Sequence, residues 1–63
     1  MIDIKQIRTT ALMTQTEFAK EIGVSCITVM KWEKNKANPS LRHLRRIKEF
    51  AIENGIETGD DYD

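Results

Sequence analysis

Apolar residues in the first fifty positions recur three and four apart, broken by glycine and small polar residues, which is the pattern of short amphipathic helices. Ile4, Ile7, Ala11 and Leu12 share one stripe and predict a first helix from about Asp3 to Leu12. Asp3 there suits the positive end of the helix dipole. Thr14 and Glu17 form the pattern Thr-x-x-Glu, a capping box in which the threonine side chain and the glutamate each satisfy a free backbone N–H. Phe18, Ala19 and Ile22 then describe a two-turn helix, Gln15 to Ile22, and Gly23 can take the left-handed conformation that stops it. Val24 is apolar within the turn and is expected to face the core. Ser25 is the next N-cap candidate, opening a third helix from Cys26 to about Lys34 with Val29 and Trp32 inward. Asn35 is suited to a left-handed stop.

Lys36 to Pro39 reads as a loop, and Ser40 as the N-cap of a fourth helix. Leu41, Leu44, Ile47 and Ala51 form its stripe, with Phe50 beside them, and Gly55 ends it. From about Glu57 to Asp63 the chain is acidic and almost without apolar residues, so disorder is expected there. The division is therefore a domain over residues 1–55 and an acidic tail over 56–63. The fold class is all-α: a compact bundle of four short helices, with a fifth left open. At 63 residues the chain is one domain at most. A domain of this size buries only about 60% of the surface its unfolded chain exposes, so the core has to be compact.

Charge changes the picture. The net charge of zero conceals a strong asymmetry. Residues 31–48 carry seven basic side chains (Lys31, Lys34, Lys36, Arg42, Arg45, Arg46, Lys48) and one acidic, whereas residues 49–63 carry six acidic and none basic. A basic middle points to a polyanionic partner, with a solvated helix face as the plainer explanation. The single cysteine permits no internal disulfide and fits a reducing compartment. No apolar run approaches the ~20 residues that span a bilayer, and MIDIKQIR lacks the apolar region of a secretory signal. A cytoplasmic location is expected.

Two short helices joined by a glycine-containing turn form a DNA-binding supersecondary unit. Ala19 is small where the helices meet most closely, Gly23 makes the turn, and Val24 and Val29 fill the angle between them. With Val29 and Trp32 inward, Cys26, Ile27, Met30 and Lys31 remain on the outer face of the second helix. The stretch TQTEFAKEIGVSCITVMKWEKNKANPS resembles the Cro/phage-repressor (XRE) helix-turn-helix family. The matching positions are Thr14, Gln15, Phe18, Ala19, Ile22, Gly23, Val24, Ser25, Thr28, Val29, Trp32, Glu33, Asn35 and Pro39, and the likeness runs from Ile4 to about Ala51.

That resemblance implies a lambda-repressor-like bundle that binds double-stranded DNA as a transcriptional regulator of bacterial, phage or mobile-element type. Gln15 would hydrogen-bond a phosphate, Ser25, Cys26, Ile27 and Lys31 would face the groove, and Lys36 and Asn38 would touch phosphates. Thr28 and Met30 complete the candidate set. Arg8 and Glu33 match a structural ion pair. Cys26 and Ile27 depart from the family, because many members carry Gln, Arg or Asn there to read bases through paired hydrogen bonds. Ile27 suits a thymine methyl and Lys31 suits guanine O6 or N7, so modest specificity is expected. Members of that family often dimerise through a fifth helix, which is not evident here, so a monomer and a homodimer on a palindromic site both stay open.

Other chemistry finds little support in the residues. His43 has no partner His, Cys or carboxylate at metal-ligand spacing and reads as a surface side chain. Neither a catalytic arrangement nor a small-molecule or cofactor site is evident, so an enzyme is not expected. The alternative function is a protein-interaction module that keeps the fold without DNA binding, since exposed Ile27 and Met30 suit a protein contact equally well.

Overall fold

The computed structural model describes residues 3–56. Within them are four helices, α1 (Ile4–Thr10), α2 (Gln15–Ile22), α3 (Cys26–Glu33) and α4 (Leu41–Glu53). The acidic tail expected from Glu57 onward lies outside the described residues.

All four helices begin the same way. Asp3, Thr14, Ser25 and Ser40 hold extended backbone, and each side-chain oxygen accepts the N–H of the residue three further on. At α2 the reciprocal bond is present too, from the Thr14 N–H to Glu17 Oε1 at 2.8 Å. Hydrogen bonding to the carboxylate from Thr14, first by its backbone N–H and then by its side chain, holds the exposed Glu17 carboxyl below its ordinary pKa.

All four also end the same way. A residue at positive φ follows the helix: Leu12 (59°), Gly23 (91°), Asn35 (59°) and Gly55 (66°). The next residue's N–H then returns five positions, Met13 to Arg8, Val24 to Ala19, Lys36 to Lys31 and Ile56 to Ala51. This closure satisfies helix carbonyls that would otherwise be orphaned. An apolar residue after such a stop packs back onto the helix, and Met13, Val24 and Ile56 all lie against the core. Only α3 is followed by a charged residue, Lys36, which stays exposed.

The core joins all four helices through Ile4, Ile7, Phe18, Ala19, Ile22, Val29, Trp32, Ile47, Phe50 and Ala51. Phe18 and Phe50 meet edge to face, with ring centroids 5.4 Å apart at 83°. Ala19 is buried at 2% exposure, on the same stripe of α2 as Phe18 and Ile22. Gly23 is required by its φ and not by crowding, since a Cβ there would meet nothing within 4 Å.

Two apolar positions depart from the expected stripes. Leu12 is not helical: α1 ends two residues earlier, and Leu12 is the left-handed residue of its stop, 91% exposed. Leu41, the first helical residue of α4, is 65% exposed. Helical side chains lean toward the N-terminus, so one in the first turn projects past the end of its helix and away from the packed middle. Phe50, placed beside the stripe in sequence, is fully in the core at 2% exposure.

A leucine in the left-handed region costs about 1 kcal/mol relative to a residue that enters it readily. Leu12→Asn should therefore raise stability by about 0.5–1 kcal/mol, or roughly 2–6 °C in Tm for a domain of this size. Thermal melting checks this, and an unchanged or lower Tm would contradict it.

Candidate nucleic-acid interface

The attitude of α3 is set by its inner face. Val29 is completely buried and Trp32 is 6% exposed, which turns Ile27 (63% exposed), Met30 (36%) and Lys31 outward. Lys34, the C-cap, continues the exposed side, and Lys36 and Asn38 follow in the exposed loop. These outward residues belong to a third helix whose first residue touches the first turn of α2. The contact is a hydrogen bond from the Thr16 hydroxyl to Cys26 Sγ at 3.5 Å. It makes Cys26 half-buried and engaged with α2, where an exposed, uncommitted thiol was expected.

The hydroxyls in this region are engaged as well. Ser25 Oγ accepts the Thr28 N–H at 3.2 Å, and the Ser25 and Thr28 hydroxyls bond to each other at 2.9 Å. Gln15, half-buried at the start of α2, donates its side-chain amide to Glu33 Oε1 at 3.1 Å. One amide hydrogen of the residue expected at a phosphate is thus committed inside the protein.

Glu33 is the centre of this arrangement. Arg8 Nε donates to Glu33 Oε2 at 2.7 Å and Arg8 Nη2 to Glu33 Oε1 at 3.0 Å, a two-pronged pair. Arg8 Nη1 also donates to the Met13 carbonyl at 3.0 Å. The two side chains are only 13% and 6% exposed. Burial alone would push the Glu33 carboxyl up. The hydrogen bonds from Arg8 and then Gln15, with the charges of Arg8 and Lys5, more than offset it and hold the group below its ordinary range. The same pair raises the Arg8 guanidinium. One knot therefore links α1, the α1–α2 loop, the start of α2 and the end of α3.

The remaining basic residues divide. Arg46 is bound to Glu21 at 3.3 Å and to Glu53 at 3.6 Å, so it braces α4 against α2. Arg42 and Arg45 are exposed on α4. His43 is half-buried, not a bare surface side chain. Its Nδ1 lies 3.1 Å from the Ser40 hydroxyl, and its ring sits 5.6 Å from that of Trp32. Among the described residues, no group of three or more His, Cys, Asp or Glu could hold a metal ion. No helix there is long and apolar enough to cross a membrane.

Sequence reasoning missed Thr16 and Lys34. Thr16 follows Gln15 directly, and Lys34 lies three residues past Lys31, so spacing from known candidates was the available signal.

The chain belongs to the helix-turn-helix family, of the Cro/phage-repressor type its motif resembles. The family model described as "Helix-turn-helix" matches residues 4–50. Two proteins of Archaeoglobus fulgidus, each named "Uncharacterized HTH-type transcriptional regulator", are 49% identical to it over 44 residues. The aligned part covers 70% of this chain and 63% and 62% of theirs. The chain thus spans under two thirds of the length of these relatives. No solved structure matches it significantly.

Removing one partner of a nearly buried ion pair strands the other, at about 2–3 kcal/mol for a charge-assisted contact that keeps some access to water. Glu33→Ala should therefore lower Tm by roughly 10–20 °C. Glu33 has a depressed pKa when folded, so its contribution is present above its unfolded pKa and is lost as pH falls through the folded one. The Tm gap between parent and variant should accordingly narrow as pH drops below about 4.5. Melting curves from pH 7 to pH 3 check this; equal Tm values at pH 7, or a gap independent of pH, would refute the pairing.

Proposed function

We propose that this protein is a regulator that binds double-stranded DNA with sequence preference, acting by binding and not by catalysis, with α3 in the major groove. The observation that carries this is the outward face of α3, Ile27, Met30 and Lys31, held proud of the core and continued by Lys34 and Lys36. An α-helix fits the major groove of B-DNA, and exposed lysines at its end and in the next loop reach the flanking phosphates. In this reading Ile27, Met30 and Lys31 meet base edges. Ser25, Cys26 and Thr28 line the helix start, where their groups fix its approach. Gln15, Lys34, Lys36 and Asn38 lie at the phosphates, Gln15 with its second amide hydrogen. The protein works in the cytoplasm as a regulator of bacterial, phage or mobile-element type, as a homodimer on half-sites about one helical turn apart. The regulator names of the two relatives support the same reading.

A second reading, a protein-interaction module on the same scaffold, is favoured by the exposure of Ile27 and Met30. Salt separates the two. Each phosphate neutralised releases close to one counterion, so the two phosphate contacts of Lys34 and Lys36 give an affinity that falls about 12-fold per protomer between 50 and 200 mM salt. Lys31→Glu should weaken duplex binding at least about 30-fold while leaving Tm unchanged, since the side chain is exposed. Fluorescence anisotropy with labelled duplex pools measures both. Binding that is absent or flat with salt would favour the interaction module, and a Lys31→Glu variant that bound normally would remove α3 from the interface.

A further inference from the structure

Resting on the DNA-binding reading, we infer that this protein selects its site chiefly by the C5-methyl groups of pyrimidines, so that it discriminates thymine from uracil and 5-methylcytosine from cytosine. Few groups on α3 remain available to read a base. The Ser25 and Thr28 hydroxyls bond to each other, and Ser25 Oγ also accepts the Thr28 backbone N–H at the helix start. The Cys26 sulfur accepts from Thr16. Gln15 is bound to Glu33. Each polar side chain around the start of α3 has a partner inside the protein, Gln15 keeping one amide hydrogen for a phosphate. What the helix presents outward is the branched apolar side chain of Ile27 at 63% exposure, the thioether of Met30 at 36%, and the ammonium of Lys31.

Ile27, Met30 and Lys31 are three and four residues apart and therefore share one face. The major-groove edge of a base pair offers hydrogen-bonding groups and one apolar group, the methyl at pyrimidine C5. Two adjacent apolar side chains have only that methyl to gain from. Placed against a polar edge they would lose water from it without replacing its hydrogen bonds. Lysine, a flexible point charge, adds attraction to guanine or to phosphate but little geometric selection. Cytosine acquires the same apolar group when it is methylated at C5, so the face also senses that modification.

The test begins with selection of bound sequences from a random duplex pool by the full chain. The winning duplex is then remade with deoxyuridine in place of thymidine, a change that removes methyls and leaves base-pair hydrogen bonds intact. Burying one methyl is worth about fourfold in affinity, so uracil at two contacted positions should weaken binding about 15-fold. Replacing a contacted thymine by cytosine should weaken binding further, and 5-methylcytosine at that position should recover about fourfold. Ile27→Ala, whose Tm reports an intact fold, should lower the thymine-to-uracil ratio from about 15 to about four, the share that Met30 keeps. A winning duplex that binds equally with uracil, or a winner with no thymine or cytosine at contacted positions, would overturn the inference while leaving DNA binding standing. A pool that enriches no sequence would overturn it also. Failure of every duplex to bind would instead remove the DNA-binding reading on which it rests.

Discussion

A carboxylate at the C-terminal end of a helix, nearly shut off from water, is unfavourable on two counts, because it meets the negative end of the dipole and loses hydration. Glu33 occupies that place on α3 with its side chain only 6% exposed. It is sustained by Arg8, which presents two donors to it from the last turn of α1, where a positive charge is favourable. The cost of burying both groups makes the pair selective: a displaced α3 would leave two charges without partners. A third donor on the guanidinium holds the Met13 carbonyl, and Glu33 Oε1, which accepts Arg8 Nη2, accepts the Gln15 amide as well. The direction in which α3 points is thus fixed at its far end by charge and along its inner face by Val29 and Trp32.

The stops between helices serve the same end. Three of the four place an apolar residue, Met13, Val24 or Ile56, back on the core and so enlarge it. The stop after α3 carries Lys36 instead. A position that elsewhere adds to stability here contributes a charge to the surface, beside the helix face assigned to the groove. This is one place where packing is given up, and it falls where the proposed function needs a cation.

Most of the fold was legible because its signals are local. Thr14, Ser25 and Ser40 as caps, and Gly23, Asn35 and Gly55 as stops, are each set by side-chain chemistry within a few residues. Leu12 escaped because leucine has no preference for the left-handed region. Only the pull of Met13 into the core and the returned N–H place it there. Leu41 escaped because a periodic stripe does not say where the neighbouring helices end. At the site, exposure of Ile27, Met30 and Lys31 followed from periodicity and the burial of Val29. The bonds from Gln15 to Glu33, Thr16 to Cys26 and Arg46 to Glu21 join positions ten to 25 residues apart, and no local pattern encodes them. The family resemblance supplied the one long-range pair that was foreseen, Arg8 with Glu33.

The outer face of α3 is the surface proposed to meet duplex DNA. Amide chemical-shift mapping during titration with a selected duplex tests it most directly. Perturbations should concentrate at Gln15 and Thr16 and from Ser25 through Asn38, with the outer side of α4 near Arg45 and Ile52 unaffected. Shifts confined to α4, with Ile27, Met30 and Lys31 unmoved, would contradict it.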